Sequence, residues 1–373
     1  PITMLTDDAP AYERPYAEPE DLDTRQDLSL DRIALPEDYN RTLLQLLDAP
    51  NIASKAWIYR QYDSLVRSNT VVGPGSDAAI LRIKGSKKGI AVTVDCNSRY
   101  CLLDPYVGAT IAVAEAARNI SCAGAVPIGL TDCMNFGNPE KSEVMWQFAE
   151  AVHGIRDACL SLEIPVVGGN VSFYNETDGR PIPPTPTIGM VGLIEDITRH
   201  MTIGFKTEGD VVALLGRSRE ELGGTEYLAL RDIVAGTPPW IDLSRERNVQ
   251  NVCRTAIEEG LLESAHDVSE GGLAVALAEC CINAPSVALG ASVQVDGAIR
   301  PDAALFGESQ SRIVVSLRRR NLSRLRELAN DADVPMSVLG EVRGKRLQID
   351  SYIDIDVEEL KRAWCDALPT RMG

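Results

Sequence analysis

The stretch 126-VPIGLTDCMNFGNPEKSEVMWQFAEAVHGIRDACLSLEIPVVGG-169 decides the fold. Val126 to Thr131 is a short apolar run and reads as a strand, and Ile164 to Gly168 is a second one. Between them, Glu143 to Leu162 keeps apolar residues at helical spacing and reads as a long helix. Asn138-Pro139-Glu140-Lys141-Ser142 precedes it, offering Ser142 as N-cap and an acidic first turn. Strand, helix and strand in this order belong to an α/β or α+β domain.

Outward from this unit, Ala79-Ile80-Leu81-Arg82-Ile83 and Gly89 to Val94 read as strands, Tyr106 to Cys122 as a helix and Ile188 to Leu193 as a further strand. Pro181 to Pro186 is a stiff connector by composition. A second unit starts near Gly209, with strands expected at Val211–Leu215, Ala291–Val295, Ile313–Leu317 and Val338–Val342. Its helices are expected at Ser244–Leu262, Gly272–Cys281 and Leu322–Asp331, and a tail helix at Val357–Ala367 docks on its own domain. Residues 1–40, rich in Pro, Asp, Glu and Tyr without periodicity, read as a linker or extended lead segment. The expected division is thus 1–40, an N-terminal domain at 41–205 and a C-terminal α/β domain at 206–373.

The chain has 373 residues, 45% hydrophobic and 24% charged, which suits two folded domains and excludes disordered and fibrous classes. Lys plus Arg number 37 against 54 Asp plus Glu, a net charge of −17. That field repels phosphate backbones and anionic lipid, so neither nucleic acid nor membrane is an expected partner. Residues 1–20 carry no basic and apolar signal region, and the chain has no long apolar run; a cytoplasmic location is expected. Nine cysteines without a C-x-x-C spacing read as free thiols. The opening at Pro1 reads like the middle of a longer protein.

Two stretches carry the richest chemistry. Thr131 to Pro139 runs from a strand end through polar residues into a helix N-terminus, where α/β domains often hold ligands. Asp132 there suits a metal or a nucleotide's polar atoms, and the N–H groups beyond Asn138 suit an anion; a plain turn through Asn135, Gly137 and Asn138 is the alternative. Val167 to Thr177 follows a strand with Gly168-Gly169, which permits close approach of a phosphate, and Asn170 and Ser172 alternate so that both face one side. A carboxamide oxygen is a hard ligand suited to Mg²⁺ bridging phosphates, whereas a β-bulge or hairpin is the structural alternative. No P-loop is present, and no G-x-G-x-x-G opens a helix.

Three further stretches fit either a ligand or a cap: Gly73 to Ala79 with Asp77, Ala265 to Leu273 with Asp267, and Leu305 to Arg312 with Glu308. His266 beside Asp267 could act as a base, but a lone histidine near a helix start is usually structural. Cys122 lacks the preceding glycine of a nucleophile elbow, which speaks against glutamine hydrolysis by this chain.

Taken in order, Ala9–Pro15, Asp104-Pro105-Tyr106, Ala114–Asn119, Thr131–Met145, Gly168–Thr177, Pro183–Pro186, His266–Leu273 and Leu305–Arg312 resemble a known family. It is the C-terminal half of the small-type phosphoribosylformylglycinamidine synthases, the large subunit of formylglycinamide ribonucleotide amidotransferase. The resemblance implies an N-terminal mixed-sheet domain forming half of a barrel plus a C-terminal α/β domain, as in aminoimidazole ribonucleotide synthetase-like proteins. It also implies ATP-dependent amidation in purine biosynthesis, with Mg²⁺ and ATP as cofactors and a glutaminase subunit and a small accessory subunit as partners. By motif position, Asp132 and Gly169 resemble ATP-contacting residues, Asn170 a magnesium ligand and Ser172 a substrate contact. Asp77, Asp267 and Glu308 are further candidates.

The chain departs from the family at one point. The family's first half carries a Glu-x-His-Asn-His-Pro stretch, whereas the comparable Thr93 to Tyr100 has no histidine, and His153, His200 and His266 lie elsewhere. The general base is therefore expected in the absent N-terminal half, no catalytic residue is expected here, and this half should not turn over alone. Its unpaired barrel sheet is expected to self-associate as a homodimer. A non-catalytic scaffold with a degenerate nucleotide site is the alternative, and a stand-alone relative such as a selenophosphate synthetase fits the Asp132 and Asn170 blocks less well.

Overall fold

The structure is a computed structural model that describes residues 2–285 and 288–373. The lead segment is mostly exposed as far as Glu18, with Pro19 buried, and then gives the short α1 (Leu22–Gln26), α2 (Tyr39–Asp48) and α3 (Ala56–Tyr59). Next come β1 (Thr70–Val72), β2 (Ala79–Arg82), β3 (Gly89–Asp95), α4 (Ser98–Leu103), α5 (Pro105–Cys122), β4 (Val126–Asn135), α6 (Ser142–Leu162) and β5 (Val166–Ser172). A small hairpin, β6 (Glu176–Thr177) and β7 (Arg180–Pro181), leads to β8 (Thr185–Ile194). These strands form a sheet ordered β1-β2-β3-β8-β4-β5, antiparallel except for the β4–β5 pair.

The second half runs β9 (Val211–Leu215), α7 (Glu226–Ala229), α8 (Leu243–Glu258), β10 (Leu262–Asp267), α9 (Gly272–Ile282), β11 (Ala291–Val293) and α10 (Pro301–Phe306). It ends with β12 (Ile313–Leu317), α11 (Leu322–Asp331), β13 (Met336–Val342), β14 (Arg346–Ile349), β15 (Ile353–Asp356) and α12 (Val357–Met372). The sheet order is β10-β12-β9-β13-β11-β14-β15. Helices cover both of its faces: α9 and α12 pack against Val212, Leu214 and Val314, while α8 and α11 pack against Val211, Ala213 and Val315. That two-sided cover is why β9 and β12 are nearly continuous apolar runs.

The first sheet is covered on one side only. Ile188, Met190, Ala91 and Leu130 lie under α5 and α6, whereas the alternate residues Val94 and Val126 of the same strands are 68% and 53% exposed. Asp104 caps α5 by accepting from the Val107 amide at 2.9 Å, with Pro105 at the first helical position.

The mixed α/β expectation is met, and three local expectations are corrected. Asp132 to Asn135 is strand rather than turn, because it pairs with β5 in parallel and with β8; Gly168 to Ser172 is the expected extended segment, with a register irregularity just before Gly168. Ser142 does not cap α6. It is the first helical residue, and the entry is held instead by Glu176, which accepts from the Asn138 amide at 3.0 Å and from Lys141 Nζ at 2.8 Å. The helix expected to reach Leu262 stops at Glu258, where Gly260 turns the chain at φ 68°. Ala265 to Asp267 ends β10, and the stretch that follows them leads directly into α9 at Gly272.

The two halves meet around the guanidinium of Arg118. Fully buried on α5, it donates to Asp267, to Glu246 Oε2 at 2.7 Å and to Gln310 Oε1 at 2.9 Å, all from the second half, and lies 3.5 Å from Glu115. Removing one partner of a buried ion network leaves uncompensated charge in a dry interior. Arg118→Met is therefore expected to lower unfolding free energy by about 3–5 kcal/mol, read as a fall in the urea midpoint; a loss below about 1 kcal/mol would refute the tie between the halves.

Candidate functional site

β4 and β5 pair in parallel, with Asp132 opposite Gly169, Cys133 opposite Asn170 and Asn135 opposite Ser172. Paired residues share a face, so the four residues singled out from the sequence divide into two sets. Asp132 and Gly169 point toward α6, and Asn170 and Ser172 point to the uncovered face. The first pair is in close contact: a Cβ added at Gly169 would lie 2.4 Å from Asp132 Oδ1, so only glycine leaves room for that carboxylate. β5 is the edge of its sheet, and Val166 to Val171 are all exposed.

On the α6 side, Asp132 borders a cavity of about 780 Å³ with Met134, Phe148, Val152, Ile155 and Val171. Burial in these surroundings raises the Asp132 pKa, with no ion pair or hydrogen bond opposing it. Cys159 on the same wall is pushed up to about 11 by burial. On the other face, Ser172 Oγ donates to Asn175 Oδ1 at 3.5 Å, and Asn175 Nδ2 donates to the Ser172 carbonyl at 2.7 Å.

Asn170 offers one hard oxygen for Mg²⁺, but β3, β4, β5 and β8 turn no carboxylate to its face. Among the described residues, no three His, Cys, Asp or Glu side chains converge to hold a metal ion. The residues of this chain therefore do not by themselves fit a Mg²⁺ site.

Asp77, Asp267 and Glu308 gather elsewhere, at the meeting of the two halves. Asp77 accepts from His266 Nδ1 at 2.6 Å and from the Asp267 amide at 3.1 Å, and His266 Nε2 donates to Glu279 at 3.0 Å. Burial pulls the imidazolium down, but the two carboxylates outweigh it and hold His266 well above the ordinary imidazole value. With both nitrogens occupied and almost no exposure, it clamps the Gly73–Ala79 turn and is not placed as a free base. Glu308 accepts from the Glu226 and Gly271 amides, each at 2.8 Å, and from the Tyr100 hydroxyl, so its carboxylate fills the N-terminus of α9 where a phosphate would sit. Burial, reinforced by Glu270, raises Glu308 to about 7; burial also raises Asp267 to about 6 against the opposing pull of Arg118.

Sequence reasoning missed the cavity of about 580 Å³ beside this cluster, which Lys55, Asp77, Asp95, Glu115, Glu270 and Glu279 line. Burial, then the neighbouring acids, push Asp95 and Glu115 well above the carboxylate range, and Asn119 donates to Asp95 Oδ2 at 3.2 Å. One signal was available. Glu115, Arg118 and Asn119 lie three and four residues apart in a helix otherwise made largely of Ala, Val and Ile, which marks a buried polar stripe.

Residues 75–194 match the family described as AIR synthase related protein, N-terminal domain, and residues 207–350 match its C-terminal domain. The chain belongs to the AIR synthase-related proteins. Phosphoribosylformylglycinamidine synthase subunit PurL of Moorella thermoacetica is 51% identical over all of this chain and 51% of its own length. The subunit PurL of Anaeromyxobacter sp. is 50% identical over 99% of this chain and 50% of its own. The chain thus spans about half the length of the curated relatives it matches. Among solved structures, T. maritima PurL complexed with FGAR superposes with a TM-score of 0.71 at 19% identity, over 87% of this chain and 54% of that one. AaThiL complexed with AMPPCP and TMP gives 0.52 at 15% identity, over 74% of this chain and 87% of that one. At these identities the superpositions establish the family's mixed α/β fold.

A pH dependence follows from the buried cluster. Asp267, Glu308 and His266 all have folded-state values above their ordinary ones, so the stability they contribute is present below the ordinary values and lost as pH rises through about 6, about 7 and beyond. The thermal midpoint is expected to fall between pH 5 and pH 8, with the part near 7 flattened in Glu308→Gln; a midpoint that rises across this window would contradict the assignment.

Proposed function

We propose that this chain is one half of an ATP-dependent carbon–nitrogen ligase of purine biosynthesis, carrying one wall of a nucleotide site that a second half completes. In this reading, formylglycinamide ribonucleotide, ATP and glutamine-derived ammonia give formylglycinamidine ribonucleotide, ADP and phosphate. The glycinamide carbonyl oxygen attacks the γ-phosphorus and releases ADP; ammonia adds to the activated carbon, and phosphate leaves with that oxygen.

The single observation that carries the reading is the Asp132–Gly169 register on an unpaired edge strand, with Asn170 next in line and turned the other way. A nucleotide lying across Gly168-Gly169 meets no side chain from either residue, so it can reach Asp132 on one face of β5 and Asn170 and Ser172 on the other. Asp132 and Gly169 would contact ATP, Asn170 would give one oxygen to a Mg²⁺ whose other ligands are phosphates and groups outside this chain, and Ser172 would contact the ribonucleotide. The general base comes from the complementary N-terminal half, outside this chain. Support for that half comes from relatives twice as long and from the apolar side chains, Val94 and Val126 among them, on the uncovered sheet face. A glutaminase subunit and a small accessory subunit complete the assembly, in the cytoplasm. A non-catalytic scaffold is the second reading, favoured by the carboxylate-free face around Asn170.

Mixed with a complementary half-chain, ATP, ammonia and substrate, the chain should support turnover that neither half shows alone. Asp132→Ala and Asn170→Ala are each expected to lower kcat/KM by about 30- to 1,000-fold, equivalent to about 2–4 kcal/mol of transition-state stabilisation. Unchanged turnover in both would remove their assignment, and no heat on titrating Mg-ATP into the mixture would favour the scaffold. Alone, the chain should form dimers through its open sheet at roughly tens of micromolar; light scattering that shows only monomer would count against this.

A further inference from the structure

We infer that the edge of the first sheet opposite β5 is a docking face for a separate protein subunit with an acidic surface. The inference rests on the reading above, in which separate subunits supply the ammonia, and adds the place where one of them is held.

The face is made of two segments. Residues 60–68, between α3 and β1, are exposed one after another, and so are residues 82–88 at the turn that joins β2 to β3. β1 beside them is the edge strand of the sheet. The segments are tied into one surface: Lys84 Nζ donates to the Arg67 carbonyl at 2.5 Å, and the Arg82 amide donates to the Asn69 carbonyl at 2.8 Å. Within the loop, Asp63 Oδ1 accepts from the Leu65 amide at 2.9 Å, and Arg67 and Ser68 take left-handed φ of 63° and 55°. Tight local turns of this kind give the loop a set shape before anything docks.

The charge of this face runs against the rest of the chain. The two segments hold six cations, Arg60, Arg67, Arg82, Lys84, Lys87 and Lys88, and one acid, Asp63, whereas the whole chain carries −17. Lys88 pairs with Glu195 at 2.9 Å; among the described residues the other five cations form no ion pair. Cations gathered on one face without carboxylates steer an acidic surface toward it.

A solvated basic face needs no apolar groups. Here Tyr62, Leu65 and Val66 are 74%, 66% and 62% exposed within the one loop, and Ile83 is exposed beside the lysines. Aromatic and arginine side chains around apolar ones are the make-up of an interface core. Nucleic acid and anionic lipid would meet the same cations but also the field of a chain of net charge −17, so the charge distribution favours a protein surface. β2, β3 and β8 separate this edge from β4 and β5, so changes here leave the chemistry in place and move the supply of ammonia.

The test uses the chain reconstituted with its complementary half, to which the glutaminase and accessory subunits are added. Lys84→Glu combined with Lys87→Glu should leave turnover with free ammonia within about twofold of wild type. At limiting subunit concentration it should lower turnover with glutamine at least about tenfold, and the loss should shrink as salt is raised from about 0.05 to about 0.5 M. Tyr62→Ser combined with Leu65→Ser should lower turnover with glutamine at least about fivefold at both salt concentrations. Turnover with glutamine that is unchanged in both double variants would overturn this inference alone. So would a parallel loss with free ammonia, which gives the edge to the complementary half, or a wild-type mixture that retains anionic vesicles or duplex DNA through Lys84 and Lys87 while glutamine turnover ignores them. A wild-type mixture inactive with ammonia would overturn the functional reading and this inference together.

Discussion

The arrangement depends on a guanidinium taken wholly out of water. Arg118 leaves a largely apolar helix of the first half, beside Glu115 on the same helix, and is received by Asp267, Glu246 and Gln310 of the second. A charge at that depth is tolerated only when every donor is met in good geometry, so the two sheets are held in one relative orientation or the ion is stranded. The same contact draws Asp267 next to His266 and Asp77, which pins the Gly73–Ala79 turn. Arg99 and Tyr100 of α4 repeat the device by reaching Glu226 and Glu308. The polar interior between the halves is therefore a consequence of joining them, and its raised carboxyl values follow from burial and from like charge at short range.

With the second sheet sandwiched between helices and the first tied to it along α5, the remaining unsatisfied surface is concentrated on the first sheet. One face is uncovered, and β5 ends it with an unpaired backbone. Exposed edges and apolar faces of this kind are normally paired or covered. The four residues that the sequence marks lie on or beside this edge, and their division between its two faces makes the glycine pair the crossing point. A ligand bound there is bounded on one side by this chain and open on the other, which agrees with a chain half as long as its relatives.

Much of this was legible in the sequence, for physical reasons that differ by element. α5, α6, β9 and β12 announce themselves because their cover is local and apolar, so periodicity or an unbroken apolar run survives in the sequence. β10 does not: Leu262-Glu263-Ser264-Ala265-His266-Asp267 is mostly polar, and its polar groups are satisfied by partners far along the chain, Ser316, Asp77 and Arg118. The alternation of Asn170 and Ser172 was readable within one strand. That Asp132 faces the opposite way was not, because it follows from the register between two strands, which sets Asp132 opposite Gly169. The caps show the same limit. Ser142 has the right chemistry for an N-cap, but a carboxylate from the β6 hairpin fixes the helix entry first.

Hydrogen exchange along β5 reads the central claim most directly, that this edge is the seam across which a second half and a nucleotide meet. Those amides of Val166 to Ser172 that are not bonded to β4 should exchange readily in the isolated chain at dilutions where it is monomeric, slow on adding the complementary half, and slow again with a Mg-ATP analogue, while β9 and β12 stay protected throughout. Exchange along β5 that is unchanged by both additions would contradict the account.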